Sequence, residues 1–336
     1  MKYGILGTTG LKVSLIGFGG IPIQRCSKEE AVKTISRAQE LGVNFIDTAR
    51  GYTVSESYIG EALKGNRDKW IIASKSMARD RNSMDKDIET TLKNLNTDYI
   101  DLYQLHNVRT EEELNKVLDE EGAYRSLERA KEKGLIGHIG ITSHSVDALE
   151  LALDTGKFET IMYPYNIVET QARALFKRAS GLGVGVIAMK PLAGGLLQDV
   201  LLALKFVLEN QDISVAIPGM ATVEELEANL KVFDNDMFLS EDEKIKVQKM
   251  AEELGSDFCR RCGYCQPCPA GIDMPSIFTF QAYKERYDLA DWAEGRYFNL
   301  KKTAKDCAKC GECETKCPYN LPIRNMLEKV KEVFGG

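Results

Sequence analysis

From Val13 to about Leu254, short apolar segments alternate with segments of helical spacing, and the alternation runs through eight units. The strand-like segments are Val13–Phe18, Asn44–Asp47, Trp70–Ser74, Ile100–Leu105, His138–Thr142, Thr160–Tyr163, Gly185–Met189 and Ser214–Ile217. Helical stretches lie between them. In Lys28–Leu41, for example, Ala31, Ile35, Ala38 and Leu41 share one face before Gly42 stops the helix. A strand joined to the next by a helix pairs with it in parallel, because the helix carries the chain back along the sheet. Eight such units in about 240 residues predict an α/β fold of the (β/α)8 TIM-barrel class. The competing fold is an open doubly wound sheet. It fits less well, because no G-x-G-x-x-G leads from the first strand into a helix, and Gly17-Phe18-Gly19-Gly20 is a poor match. The segment MKYGILGTTGLK predicts a hairpin ahead of the first strand, with its turn at Thr8–Gly10.

A barrel of this kind carries its chemistry at the C-terminal ends of its strands. The second strand ends in Asp47, with Tyr52 in the loop beyond it. The third ends at Lys75 and the fourth at His106. Each has a bland explanation alone: a solvent-facing loop acid, a solvated lysine, a satisfied edge histidine. Four polar groups following apolar segments at one rim make a candidate catalytic constellation.

Eight of the nine cysteines fall within Cys259–Cys317 in two runs of four, and Cys26 stands apart. The net charge of −6 gives no reason to expect nucleic acid or an anionic membrane as partner. No apolar run approaches the ~20 residues that span a bilayer. The start, MKYGILGTTG, lacks a signal-peptide pattern, so a cytoplasmic protein is expected. In a reducing cytoplasm, clustered thiols point to metal or cluster ligation rather than disulfides. The shift in composition predicts a barrel domain over 1–254 and a cysteine-rich domain over 255–336.

The barrel half resembles the aldo-keto reductases over roughly residues 1–250. The resemblance rests on LGTTGLKVSLIGFGG, FIDTARGYTVSESYIG, IIASK, DLYQLH, Tyr165-Asn166, PLAGG at Pro191–Gly195 and IPGM at Ile217–Met220. It implies reduction of a small-molecule carbonyl by a nicotinamide cofactor, with Asp47, Tyr52, Lys75 and His106 as a catalytic tetrad. In that scheme Tyr52 gives a proton to the carbonyl oxygen. Lys75 brings the phenol toward a usable pKa, Asp47 holds Lys75, and neutral His106 orients the substrate. The implied cofactor-binding positions are Ser143, His144, Met162, Met189, Lys190, Gly194, Gly219 and Asn229. Several depart from the family pattern. His144 replaces an asparagine, Met162 a glutamine, Met189 a stacking tyrosine and Lys190 a serine. Met162 and Met189 also suit plain core packing. Glu225 aligns with an arginine that many members place on the adenosine 2′-phosphate, and an acid there would repel that group. NAD(H) and NADP(H) therefore both stay open.

The two cysteine runs are Cys259-x2-Cys262-x2-Cys265-x2-Cys268-Pro269 and Cys307-x2-Cys310-x2-Cys313-x3-Cys317-Pro318. The second matches the bacterial ferredoxin pattern, and the first is one residue short before its last cysteine. By that resemblance Cys259, Cys262, Cys265 and Cys317 hold one [4Fe–4S] cluster, and Cys307, Cys310, Cys313 and Cys268 the other. A pair of structural zinc sites is the alternative. The segment between the runs is helical and aromatic, and is expected to dock this module on the barrel or cover a cluster. Ile323–Val330 is expected to close the chain as a helix.

Aldo-keto reductases with a ferredoxin-like tail form a subgroup that this sequence resembles throughout. Hydride carries two electrons and a cluster passes one, so the fusion leaves three schemes. The first is a plain nicotinamide reductase whose two tail clusters are structural or sense oxidation. The second places FMN in the barrel's phosphate site, fed by the clusters; a redox partner protein such as ferredoxin is a separate expectation. The third is a non-enzymatic electron carrier or redox sensor.

Overall fold

The computed structural model describes the chain except residues 235, 256, 262 and 336. It opens with a hairpin, β1 (Tyr3–Ile5) and β2 (Lys12–Ser14), whose turn is closed by Leu6 N donating to Leu11 O over 3.0 Å. Eight parallel strands follow: β3 (Phe18–Gly19), β4 (Phe45–Asp47), β5 (Ile71–Ser76), β6 (Ile100–Leu105), β7 (Ile136–Thr142), β8 (Thr160–Pro164), β9 (Gly185–Met189) and β10 (Val215–Ile217). They pair in sequence order, and parallel bridges from Ile16 to Ala216 and from Gly19 to Gly219 bring the outer edges together. This is a (β/α)8 barrel, not an open doubly wound sheet.

The expected first strand, Val13–Phe18, is divided in the structure. Val13 pairs with Gly4 in the hairpin, whereas Phe18 pairs with Ile46 in the barrel. Alternation of residue types specifies a face but not a partner, so one apolar run here serves two sheets. Leu6 and Val13 plug the barrel's interior beside Phe45, Ala73, Leu102, Met162, Ile187, Val215 and Ile217.

The barrel helices are α1 (Lys28–Glu40), α2 (Ser55–Ala62), α3 (Arg81–Leu95), α4 (Glu111–Leu118), α5 (Ala123–Glu132), α6 (Val146–Asp154), α7 (Arg173–Gly181), α8 (Val200–Leu208), α9 (Val223–Leu230) and α10 (Glu241–Gly255). Local signals set their ends: Ser27 and Glu30 form a capping box on α1, and Asn96 ends α3 in a left-handed conformation. Helix α4 is an addition beyond the eight repeats and buries only Leu114 and Val117. Among the described residues no helix is long and apolar enough to cross a membrane.

The tail contributes α11 (Met274–Arg286), α12 (Ala290–Tyr297), α13 (Glu312–Thr315) and α14 (Ile323–Val333). It has its own apolar core, in which Ile277, Phe278, Tyr297, Leu327 and Phe334 surround Cys265, Cys313 and Cys317. Tyr297 and Phe334 stack with ring centroids 3.9 Å apart. Tyr283, Leu289 and Ala293 face the other way and pack with Ile21 of the barrel rim. The aromatic insert thus serves two surfaces at once.

Candidate active site

Parallel β4, β5 and β6 deliver three of the four rim residues. Asp47 is the last residue of β4, Lys75 lies near the end of β5, and His106 follows β6 directly. Lys75 Nζ donates to Asp47 Oδ2 over 2.6 Å and to Thr48 O over 2.8 Å, inside the protein. The same ammonium lies 5.0 Å from the centroid of the Tyr52 ring. Tyr52 and His106 meet edge to face, with centroids 6.0 Å apart and planes at 87°. The structure therefore brings all four residues together.

The Tyr52 loop is braced from behind by Glu56, a buried acid absent from the sequence-level constellation. Its carboxylate accepts from Ser74 Oγ at 2.9 Å, Thr91 Oγ1 at 2.9 Å, Asn94 Nδ2 at 3.1 Å and Arg50 Nη1 at 2.5 Å. It ties α2 to α3 and β5, and so fixes where the preceding loop leaves the barrel.

Burial dominates the electrostatics. It draws the Lys75 ammonium below its usual value, and the adjacent Asp47 opposes that shift. His106 is held well below 6.5 by burial and by the cations Lys75, Arg79 and Lys190, so its imidazole is neutral near pH 7. Tyr52 departs from expectation. Burial, then the negative charge of Asp47 and the tail tyrosines Tyr283 and Tyr287, push its phenol well above 10. Lysine does not bring it into the working range here, and the phenol stays in its acid form.

The expected cofactor positions separate into groups. Met162 is fully buried in the barrel interior, and Met189 lies half-buried beside it at the end of β9. Ser143 Oγ accepts from Ser145 N over 2.9 Å, and His144 Nδ1 accepts from Arg261 Nε over 3.4 Å. Lys190, Gly194, Gly219 and Asn229 line one cavity of about 240 Å³ with Arg25, Glu225, Arg286 and Tyr287. Glu225 is not a free acid in it. Its carboxylate caps α9, accepting from Ala221 N at 2.6 Å, and pairs with Arg25. The repulsion expected of Glu225 is largely cancelled by that pairing.

The tail closes over this rim. Arg261, between two cysteines, reaches into the barrel mouth, where its Nη2 lies 2.7 Å from Oε1 of the fully buried Glu169. Tyr264 donates to Asp147 Oδ2 over 2.7 Å, and Arg296 to Gly51 O over 3.4 Å, next to Tyr52. Neither Glu169 nor Arg261 stands out as a site residue in the sequence. The hint is an acid directly after the apolar pair Ile167-Val168 and a pair of arginines inside a cysteine run.

Cysteines 268, 307, 310, 313 and 317 are free thiols, and Cys262 lies outside the described residues. Among the described residues no three His, Cys, Asp or Glu side chains converge as a single-ion site. The backbones of the two runs repeat each other. Arg261 and Lys309 have φ of 58° and 56°, and the following Gly263 and Gly311 have 86° and 81°. Gly271 and Asn320, each three residues past the fourth cysteine, again have positive φ, at 74° and 50°. Helices α11 and α14 then start six residues past that cysteine (274 − 268 and 323 − 317). Soft thiolates on two matching sets of tight turns are a donor set suited to iron–sulfur clusters.

An eight-stranded barrel with polar groups at its C-terminal rim defines a class of enzyme scaffold, and the match to known sequences narrows it. Residues 15–201 match the aldo/keto reductase family and residues 258–322 a 4Fe-4S dicluster domain. The chain belongs to the aldo/keto reductase family and carries a 4Fe-4S domain at its C-terminal end. It is 30% identical over 277 residues to L-galactose dehydrogenase of Arabidopsis thaliana, spanning 67% of this chain and 86% of that protein. It is 32% identical over 146 residues to a methylglyoxal reductase of Yersinia pestis, spanning 42% and 50%. Among solved structures, an aldo-keto reductase from Bacillus halodurans in its holo form aligns with a TM-score of 0.66 at 26% identity, covering 75% of this chain and 96% of that one.

Proposed function

We propose that this protein reduces the carbonyl group of a small molecule with a nicotinamide cofactor, with Tyr52 as proton donor. The observation that carries this reading is the Lys75 ammonium, held by Asp47 on one side and 5.0 Å from the Tyr52 ring on the other. A nicotinamide cofactor held by residues such as Lys190, Gly194, Gly219 and Asn229 would supply hydride to the carbonyl carbon. The carbonyl oxygen then gains negative charge, and the Tyr52 hydroxyl gives it a proton. Lys75 stabilises the phenolate left behind, and Asp47 keeps Lys75 in position. Neutral His106 donates a hydrogen bond that orients the carbonyl without competing for the proton. The tail's roof excludes water from these steps.

The tail's two cysteine runs hold two [4Fe–4S] clusters in this reading, with the fourth cysteine of each run crossing to the other cluster. The matching backbone of the two runs supports a pair of alike ligand sets. In this reading the clusters are structural or sense oxidation, because hydride moves two electrons and a cluster one; exchange with a redox partner protein such as ferredoxin would need a flavin as converter. Anaerobic purification, with iron analysis, an absorption spectrum and carbonyl-dependent oxidation of NADH or NADPH, tests the whole reading. Release of FMN on denaturation, with no nicotinamide oxidation, would replace the nicotinamide by a flavin.

A further inference from the structure

The cavity shared by barrel and tail is rich in cations that lack counterions. Lys190 has no carboxylate within salt-bridge distance among the described residues, and its Nζ faces the Tyr283 ring at 5.8 Å. Arg286, the last residue of α11, likewise has no ion pair among them, and its Nε is buried without a hydrogen-bond partner. Both line the cavity of about 240 Å³, and with Arg261 they line a narrow space adjoining it. Arg261 is neutralised by Glu169 and Arg25 by Glu225, so Lys190 and Arg286 are left over. Half-buried cations without partners are costly unless an anion joins them.

The backbone beside them suits a phosphate. Gly194 and Gly195 have φ of 71° and 80° and present no side chain to the cavity. The end of α11 packs against this turn, since a Cβ on Gly195 would lie 3.2 Å from the Arg286 backbone oxygen, and the Arg286 side chain lines the same cavity. A planar guanidinium in a cavity that a glycine turn also lines can grip a phosphate through paired hydrogen bonds.

We infer that Arg286 of the tail, together with Lys190 of the barrel, binds the pyrophosphate of the dinucleotide, so that the iron–sulfur domain supplies part of the barrel's cofactor site. This rests on the nicotinamide reading above, and its test is built to fail separately. The cluster-loaded protein, kept anaerobic, is titrated with NADH, NADPH and inorganic pyrophosphate, following nucleotide fluorescence or heat of binding. Arg286→Gln is expected to weaken all three by roughly tenfold or more, Lys190→Met to act in the same direction, and Arg286→Lys to recover part of the loss. NADH and NADPH must suffer alike, since they share the pyrophosphate. Unchanged nucleotide affinity in Arg286→Gln, or loss confined to NADPH, overturns the inference while leaving the nicotinamide reading intact. Pyrophosphate binding that depends on Arg286 in a protein that binds neither nucleotide would uphold the anion site and sink the reading. Absence of binding by all three to the unaltered protein sinks both. Should Arg286→Gln lose its clusters, the Lys190→Met titration decides.

Discussion

Arg261 Nη2 donates to Glu169 Oε1 over 2.7 Å, and both side chains are closed off from solvent although 92 residues separate them. This pair fastens the first cysteine run to the barrel mouth. Glu169 also accepts from Asn166 Nδ2 at 2.8 Å, and Asn166 in turn donates to Lys190 O at 3.0 Å. A chain of polar contacts thus joins the cysteine loop to the strand end that carries Lys190.

Glu169→Ala leaves Arg261 buried without its counterion. The expected cost is roughly 3–5 kcal/mol, seen as a lower melting temperature of the cluster-loaded protein. A melting curve that superimposes on wild type would show that the pair does not hold the two modules together.

Tyr52→Phe removes the proposed proton donor and keeps the ring. Carbonyl turnover is expected to drop by roughly 10²–10⁴-fold, with nucleotide affinity little changed. Near wild-type turnover would remove Tyr52 from the chemistry.

Because burial and neighbouring cations hold His106 well below 6.5, it takes up no proton as the pH falls from about 8 to about 6. The profile of kcat/KM should show no His106 titration in that range. An acid limb with its midpoint near 6.5 that vanishes in His106→Asn would contradict the neutral imidazole.

Cys313→Ser removes one ligand from one proposed cluster. Iron per chain should fall by about half, from about eight atoms to about four, because the other cluster keeps its ligands. A full iron complement would strike Cys313 from the ligand set.

Much of this architecture was legible in the sequence, because barrel strands and helices are short-range patterns. The rim residues were legible for the same reason: a strand end follows from where an apolar run stops, as at Asp47 and His106. What stayed hidden depends on partners distant in the chain. The run Val13–Phe18 gave no sign that it would divide between hairpin and barrel. Helix α4 lies outside the eightfold repeat and leaves little apolar pattern, because only two of its residues are buried. The aromatic insert announced burial, but not that Tyr283 would face the barrel rim while Phe278 and Tyr297 entered the tail's core. Glu225 looked like a free acid because its partner, Arg25, lies 200 residues away.

The seam between barrel and tail also has an order in time. Arg25 Nη1 donates to Tyr287 O across a separation of 262 residues, so an early loop of the chain waits for a late helix. During synthesis the barrel leaves the ribosome with its mouth open, and the roof arrives only when most of the polypeptide has been made. A chain stopped before α11 would carry Asp47, Tyr52, Lys75 and His106 without their cover. The cover over these four residues is thus made later in synthesis than the barrel that bears them.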